Sequence, residues 1–536
     1  MLKIVNPLKT IELALPPEEA ASEKRISAII RRQLQLSSSD TVKFSINKRS
    51  IDARSRDVKV RLLVSVAVNE ELPKKETEPR HLQNISAKEP VAVIGCGPAG
   101  LFAALRLIEL GYKPIIIERG KNVKGRRRDI AEINRKGIVN PDSNYCFGEG
   151  GAGTFSDGKL YTRSGKRGNI QKVLETFIQF GANGDIAVDA HPHIGTNKLP
   201  RIIENMRNAI LECGGEIHFN TKFISFELEG NKIKGIKTRS LSNGTETSVK
   251  TKAVILATGH SARDIFEYFH QNKFKIEAKS FALGIRIEHP QSIIDAAQYH
   301  QTARNEFLPP ASYALVSQQN NRGVYSFCMC PGGIIAPAAT APGELVVNGW
   351  SPSKRNNPYA NSGVVVSVDG NDFLRFSKHG ELAALRYQQE IEKKSFLAGG
   401  GDLKAPAQRM ADFVNKKISS SLPSCSYIPG IVSADLFSVL PKEISLPLQS
   451  ALKDFGKKMP ARHGGKGYFT NEAVLVATES RTSSPVRIPR DAATLMHTEL
   501  SGLFPCAEGA GYAGGIVSAA MDGERCAEAA GNYILA

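Results

Sequence analysis

The chain has 536 residues, too many for one compact core, so roughly two to four domains are expected. With 41% hydrophobic and 23% charged residues it is an ordinary globular sequence, which excludes a low-complexity or fibrous chain. Its eight scattered cysteines exclude a disulfide scaffold and fit a reducing cytoplasm, while the net charge of +17 favours acidic partners. No run of aromatics alternates with the basic residues, so a nucleic acid is not the favoured partner. The N-terminal MLKIVNPLKTIELALPPEEA has neither an apolar core nor a small-residue cleavage site, and no signal peptide is expected. Residues 91–110, VAVIGCGPAGLFAALRLIEL, are apolar, but their glycines and proline divide them into strand, turn and helix, so no membrane span is expected.

In chain order, PPEEAASEKRISAIIRRQLQL reads as one helix, with Pro17 in its first turn and Ile26, Ile29, Ile30 and Leu34 on one stripe. Residues 57–68 alternate, placing Val58, Val60, Leu62, Val64, Val66 and Val68 on one face of a half-buried strand. Residues 1–70 are therefore expected to form a small α+β domain. The polar, proline-flanked residues 71–89 read as a linker.

The next stretch carries the most information. Val91 to Ile94 form a buried strand, and Gly95, Gly97 and Gly100 complete a G-x-G-x-x-G pattern around Pro98 and Ala99. Gly95 permits the tight turn, Gly97 lets a pyrophosphate approach the backbone, and Gly100 lets helix and strand pack closely. The helix that follows turns its N-terminal N–H groups toward the phosphates. A second strand, Pro114 to Ile117, ends at Glu118, whose carboxylate suits ribose hydroxyls and would repel a 2′-phosphate.

After that strand the ERG triplet and the basic cluster resemble flavoproteins of the glutathione-reductase type. Arg119, Arg126 and Arg127 then either sit against an anionic cofactor or form a solvated helix face. VILATGHSARD carries Ala257, Thr258 and Gly259, resembling the motif that links an inserted region back to the nucleotide domain. GLFPCAEGAGYAGGIVSAAMDG resembles the C-terminal FAD motif, with Glu508 and Gly509 near the ribityl chain. Gly514, Gly515 and Ile516 there start a helix whose dipole would stabilise a reduced flavin. FAD is the cofactor these motifs imply.

With FGEGGAGTFSDGKL, PHIGTNKL, LGIRIEHPQ, FCMCPGG and ESRTSSPVRIPRD added, the chain resembles the bacterial FAD-dependent dehydrogenases over nearly its whole length. The resemblance implies an α/β fold: a discontinuous Rossmann-like FAD-binding domain (90–275 and 471–536), an inserted α+β substrate or cap domain (276–470) and the small N-terminal domain. In the glycine-rich loop, backbone near Gly150, Gly151, Thr154, Phe155, Ser156 and Gly158 can reach a phosphate or the flavin edge. Lys159 is either a charge near flavin or a substrate anion, or a plain loop lysine. By resemblance, Phe223 lies at the adenine.

Arg286 and Glu288 share a strand face and either bind an anion or pair with each other. Arg481 either clamps a carboxylate or holds a domain junction, and His463 is a candidate proton donor. In FCMCPGG no further ligands complete a metal site. On a strand Cys328 and Cys330 share a face, too far apart for a strain-free disulfide unless the strand bends. Pro331, Gly332 and Gly333 are expected to wall the isoalloxazine, with Cys330 nearest the reacting centre and Cys328 its companion; the alternative is two small buried hydrophobes.

The function expected is an FAD-dependent oxidoreductase passing hydride between flavin and a small organic substrate. No second G-x-G-x-x-G lies between a strand and a helix, so NAD(P)H could serve only as a transient reductant without a Rossmann domain of its own. One alternative is a flavin-dependent RNA-modifying protein using Lys43, Lys48, Arg49, Arg54, Arg56, Lys59 and Arg61 on phosphates. Another makes the N-terminal domain a docking module for a protein partner.

Overall fold

The computed structural model describes residues 8–73, 79–162, 165–462 and 465–536. His463 lies outside the described residues. Among those described, no helix is long and apolar enough to cross a membrane.

The N-terminal domain is a three-stranded antiparallel sheet, ordered Lys9–Leu15, Lys59–Val68, Val42–Asp52. Alternation puts Val60, Leu62, Val64 and Val66 against Ile26 and Ile30 of one helix. Val58, just before the strand, instead joins the core of the cap. The single helix expected here is two, Pro17–Ala20 and Glu23–Gln33. The break falls where Ser22 leaves the helical conformation and its hydroxyl caps the second helix at Arg25 N.

This domain is docked on both others. The Arg49 backbone exchanges hydrogen bonds with Val188 and Ala190, its side chain meets Asp189 at 2.7 Å, and His300 donates to the Ala53 carbonyl. Of the cations considered for RNA, Lys43 pairs with Glu71, Arg49 with Asp189, and Arg54 and Arg61 with Asp52. The expected linker is anchored from Arg80 onward: that guanidinium is buried on Thr176, Glu109 and Glu524, and Ile85 is fully buried.

The nucleotide domain is built on five parallel strands, ordered Leu503–Pro505, Val254–Leu256, Pro90–Ile94, Lys113–Ile117, Glu216–His218. Side chains alternate across it. Val91, Val93, Ile255 and Phe504 face helices Pro98–Glu109 and Ile516–Leu535, while Ala92, Ile94, Leu256 and Leu503 face an antiparallel meander carrying Phe223 and Ile236.

The cap is a mixed seven-stranded sheet, in which Phe281–Pro290 lies between Tyr359–Val368 and Val474–Glu479. The chain thus leaves the cap later than the expected boundary after residue 470. Val474–Glu479 is wholly buried and pairs antiparallel with Phe281–Pro290, which makes it a cap strand. Where the chain crosses between domains, its outgoing and returning segments pair with each other, Glu277 opposite Arg487 and Ala278 opposite Val486.

Candidate functional site

A cavity of about 390 Å³ lies where the parallel strands end and the cap begins. Strand ends and the first turns of long helices gather there because the parallel sheet delivers all its carboxyl ends to one edge. Gly95, Gly97, Pro98 and Ala99 line it from the first turn, with Glu118 and Arg119 from the end of the second strand. Gly151, Ser156, Gly158 and Lys159 come from the glycine-rich loop, then Phe223, Ala257, Thr258, Gly259, Glu508, Gly514, Gly515 and Ile516. From the cap come Phe327, Cys328, Asn348 and Arg481.

The first turn is held from two sides. Gly95 has φ +106°, a conformation that glycine adopts without cost, and a side chain there would overlap the Ala257 carbonyl. Glu118 fixes the rim of the cavity, accepting from Cys96 N (2.8 Å), Gly120 N (2.8 Å) and Gly148 N (2.9 Å). The Thr258 hydroxyl, buried on the cavity wall, has no hydrogen-bond partner among the described residues, and a Cβ on Gly514 or Gly515, at the start of the twenty-residue last helix, would meet no described atom within 4 Å.

Comparison with known proteins fits this geometry. A model of the pyridine nucleotide-disulphide oxidoreductases matches residues 89–279, and one of the FAD-dependent protein C-terminal domain matches 280–482. A domain of unknown function matches 7–67. An uncharacterised protein of Clostridium beijerinckii is 38% identical over 97% of this chain and 97% of its own. The chain belongs to a family of FAD-dependent oxidoreductases. Similar solved structures include a triple mutant of the flavin-dependent brominase Bmp2, at 11% identity over 83% of this chain and 80% of that one, TM-score 0.36. Another is a geranylgeranyl bacteriochlorophyll reductase-like protein of Thermoplasma acidophilum, at 14% over 83% and 79%, TM-score 0.34.

FAD is the cofactor of this family, and the residues present fit it. The orphaned Thr258 hydroxyl, the open glycines at a helix N-terminus and the Glu118 carboxylate are what phosphates and a ribose require. Because Glu118 satisfies three backbone N–H groups, removing it leaves donors whose loss costs about 1–3 kcal/mol each. Glu118→Ala is therefore expected to purify with roughly a tenth or less of the wild-type FAD, read as the ratio of flavin to protein absorbance.

Several residues expected at the cofactor lie elsewhere. Arg126 is fully buried and braces the glycine-rich loop, donating to the carbonyls of Asn144 (2.7 Å), Tyr145 (2.7 Å) and Glu149 (2.8 Å); its guanidinium stacks on Phe155. Arg127 is exposed. Arg119 reaches the cavity with its guanidinium held by Asp264 at 2.8 Å. Gly100 is a packing residue whose Cβ would overlap the Gly95 carbonyl, and Gly509 abuts the Gly259 backbone. Gly150 donates to Cys96 O, and the Thr154 hydroxyl to Glu149 O, both beneath the cavity floor.

The FCMCPGG segment is the larger correction. Cys328 takes φ +47°, and a register shift falls between Phe327 and Cys330. That bulge leaves Cys328 on the cavity, puts Cys330 wholly behind it and carries the Pro-Gly-Gly turn into the cap. Pro331 O accepts from Ser351, and Gly332 N donates to Gln291 Oε1 at 2.7 Å, so neither walls the cavity.

Arg286 does not pair with Glu288: it meets Glu479 on the neighbouring strand at 2.8 Å, both fully buried, while Glu288 accepts from Ser426 N. Arg481 donates from Nε (2.8 Å) and Nη2 (3.1 Å) to Glu392 and from Nη2 to Thr340 (3.2 Å), both residues of the cap, while its Nη1 has no partner among the described residues. Lys159 is salt-bridged to Asp157 at 3.0 Å, and Arg355 holds the same carboxylate at 2.9 Å. Burial works against the Lys159 ammonium, yet Asp157 and the two cysteine sulfurs keep its pKa above the ordinary lysine value.

Asp157 and His260 line the cavity without having been singled out; Asp157 stood in plain view inside GTFSDGK. Burial, then Arg481, lowers the His260 pKa to about 4, leaving a neutral imidazole. Burial, then Cys328, raises Glu508 to about 7. A carboxyl raised in the folded state stabilises it fully below its ordinary value near 4.5, and that contribution is lost as pH rises through about 7. In thermal melts of the protein between pH 5 and 8, Glu508→Gln is expected to flatten that part of the decline.

Proposed function

We propose that this FAD-dependent oxidoreductase moves hydride between the flavin and an organic anion held at the junction of nucleotide domain and cap. The observation that carries the reading is Arg481: buried, on the cavity, with its Nη1 group left over after Glu392 and Thr340 have taken Nε and Nη2. A buried donor without an acceptor is costly, and a carboxylate on the substrate would satisfy it. Bound FAD supplies the hydride chemistry. Glu392 fixes the plane of the Arg481 guanidinium, Lys159 adds a second cation to the cavity wall, and the cap excludes water. Glu508, balanced near neutrality, holds or releases a proton, and His260 stays neutral beside it.

The test begins with an anaerobic titration of the FAD-loaded protein with NADH and NADPH, followed by unsaturated and hydroxylated carboxylates. Carboxylates are expected to shift the flavin spectrum on binding, and Arg481→Lys, which keeps the charge beside Glu392 but not the free Nη1 group, to weaken that binding roughly tenfold. Carboxylates that leave the spectrum unmoved, or equal binding by the variant, would overturn the reading.

A further inference from the structure

The Cys328 bulge does more than redirect a turn. On a regular strand the two sulfurs would stand about 6–7 Å apart. Here both reach one ammonium, Lys159 Nζ lying 3.6 Å from Cys328 Sγ and 3.3 Å from Cys330 Sγ. From the opposite side Arg286 Nη2 approaches Cys330 Sγ at 3.5 Å and binds the Cys328 carbonyl at 2.7 Å, which pins the bulge. One sulfur faces the cavity and the other is fully buried behind it. Such an arrangement has an attacking position, a resolving position and cations for the charge that both steps develop.

We propose that Cys328 and Cys330 are a redox-active dithiol–disulfide pair, with Cys328 the attacking sulfur and Cys330 the one that closes the bond. The electron acceptor is a disulfide, RSSR. The Cys328 thiolate attacks one of its sulfurs, forming a mixed disulfide and releasing RS⁻. Cys330 gives up its proton and attacks Cys328 Sγ; the new S–S bond displaces the second thiolate, which takes that proton. One enzyme dithiol is oxidised, one external disulfide is reduced, and RS⁻ and RSH leave. The charged and titratable groups facing Cys328 are Lys159, Arg286, Asp157, Glu479, Glu508 and Cys330. The Cys330 thiol hydrogen-bonded to it, and then the two cations, hold the Cys328 thiol well below its ordinary range against burial and Asp157. Burial, and then the neighbouring Cys328, push the Cys330 thiol up, as suits the resolving partner.

The pair shares its cavity with FAD and so deepens the function proposed above, but its chemistry can be read without turnover. The FAD-loaded protein is treated anaerobically with 4,4′-dithiodipyridine, and the tryptic fragment 323–354 is weighed. The fragment is expected two hydrogens lighter and free of adducts in the wild type, and to carry one thiopyridyl group at Cys328 in Cys330→Ser. With iodoacetamide at neutral pH, Cys328 should alkylate roughly tenfold or more faster than Cys146, a partly buried thiol on the same cavity, and Lys159→Met should abolish that lead. Separate adducts on both sulfurs, an unmodified fragment, or Cys328 no faster than Cys146 would overturn the proposal. Flavin content is read on the same sample, and the thiol arms are repeated on flavin-free protein. Absence of flavin would therefore count against the substrate reading, while the thiol result stands or falls separately.

Discussion

Gly95→Ala is expected to fold and to purify almost free of FAD. At φ +106° an L-residue pays about 1–2 kcal/mol for the backbone alone, and the added methyl would overlap the Ala257 carbonyl. Ala257 begins the turn that carries Thr258 and Gly259 along the cavity wall, so relief of the overlap displaces two parts of the cofactor site together. Only the last rungs of the sheet, Gly95 N to Ile117 O (2.9 Å) and Ala257 N to Ile94 O (2.8 Å), meet the overlap, and the paired strands before them, Pro90–Ile94, Lys113–Ile117 and Val254–Leu256, are spared. Bound flavin should fall roughly tenfold or more, while far-ultraviolet circular dichroism stays that of the wild type. A variant retaining one FAD per chain would show that the turn can yield.

The second large effect belongs to the cap. Arg286→Met removes the cation from a fully buried pair and leaves Glu479, with Asn361 and the Cys328 carbonyl, without its donors. An unpaired buried charge costs about 3–5 kcal/mol, whereas replacing both partners by apolar groups is far milder. Urea unfolding is expected to show the single variant losing about that amount and Arg286→Met/Glu479→Leu recovering much of it. Equal midpoints for the single and double variants would mean that the two residues are not coupled.

The nucleotide sheet was legible because its features are local: an apolar run, a glycine pattern, a helix and a terminal acid occur within thirty residues and constrain one another. Distances in space were not legible. Arg286 finds its carboxylate at Glu479, across the sheet and far along the chain, while Glu288 two residues away stands closer in the sequence and was the natural guess. Arg126, in a basic cluster that suggested anion binding, spends its donors on backbone carbonyls of the loop it supports. Alternation placed Cys328 and Cys330 on one face, but it has no means of anticipating a left-handed residue that is not glycine or asparagine. Val474–Glu479 fell on the nucleotide side of the boundary expected after residue 470, because its own sequence does not say to which sheet a strand there belongs.

The order of strands in the nucleotide sheet has a consequence for biosynthesis. Its edge strand, Leu503–Pro505, pairs with Val254–Leu256, and Glu508, Gly514 and the last helix follow it. On the ribosome, the whole cap emerges between the two parts of the nucleotide domain and can fold while that domain is still missing an edge. The cavity wall is finished only by Glu508, Gly514, Gly515, Ile516 and Ala519, which all follow the cap in the chain, so the cofactor site is complete only once the cap has been made.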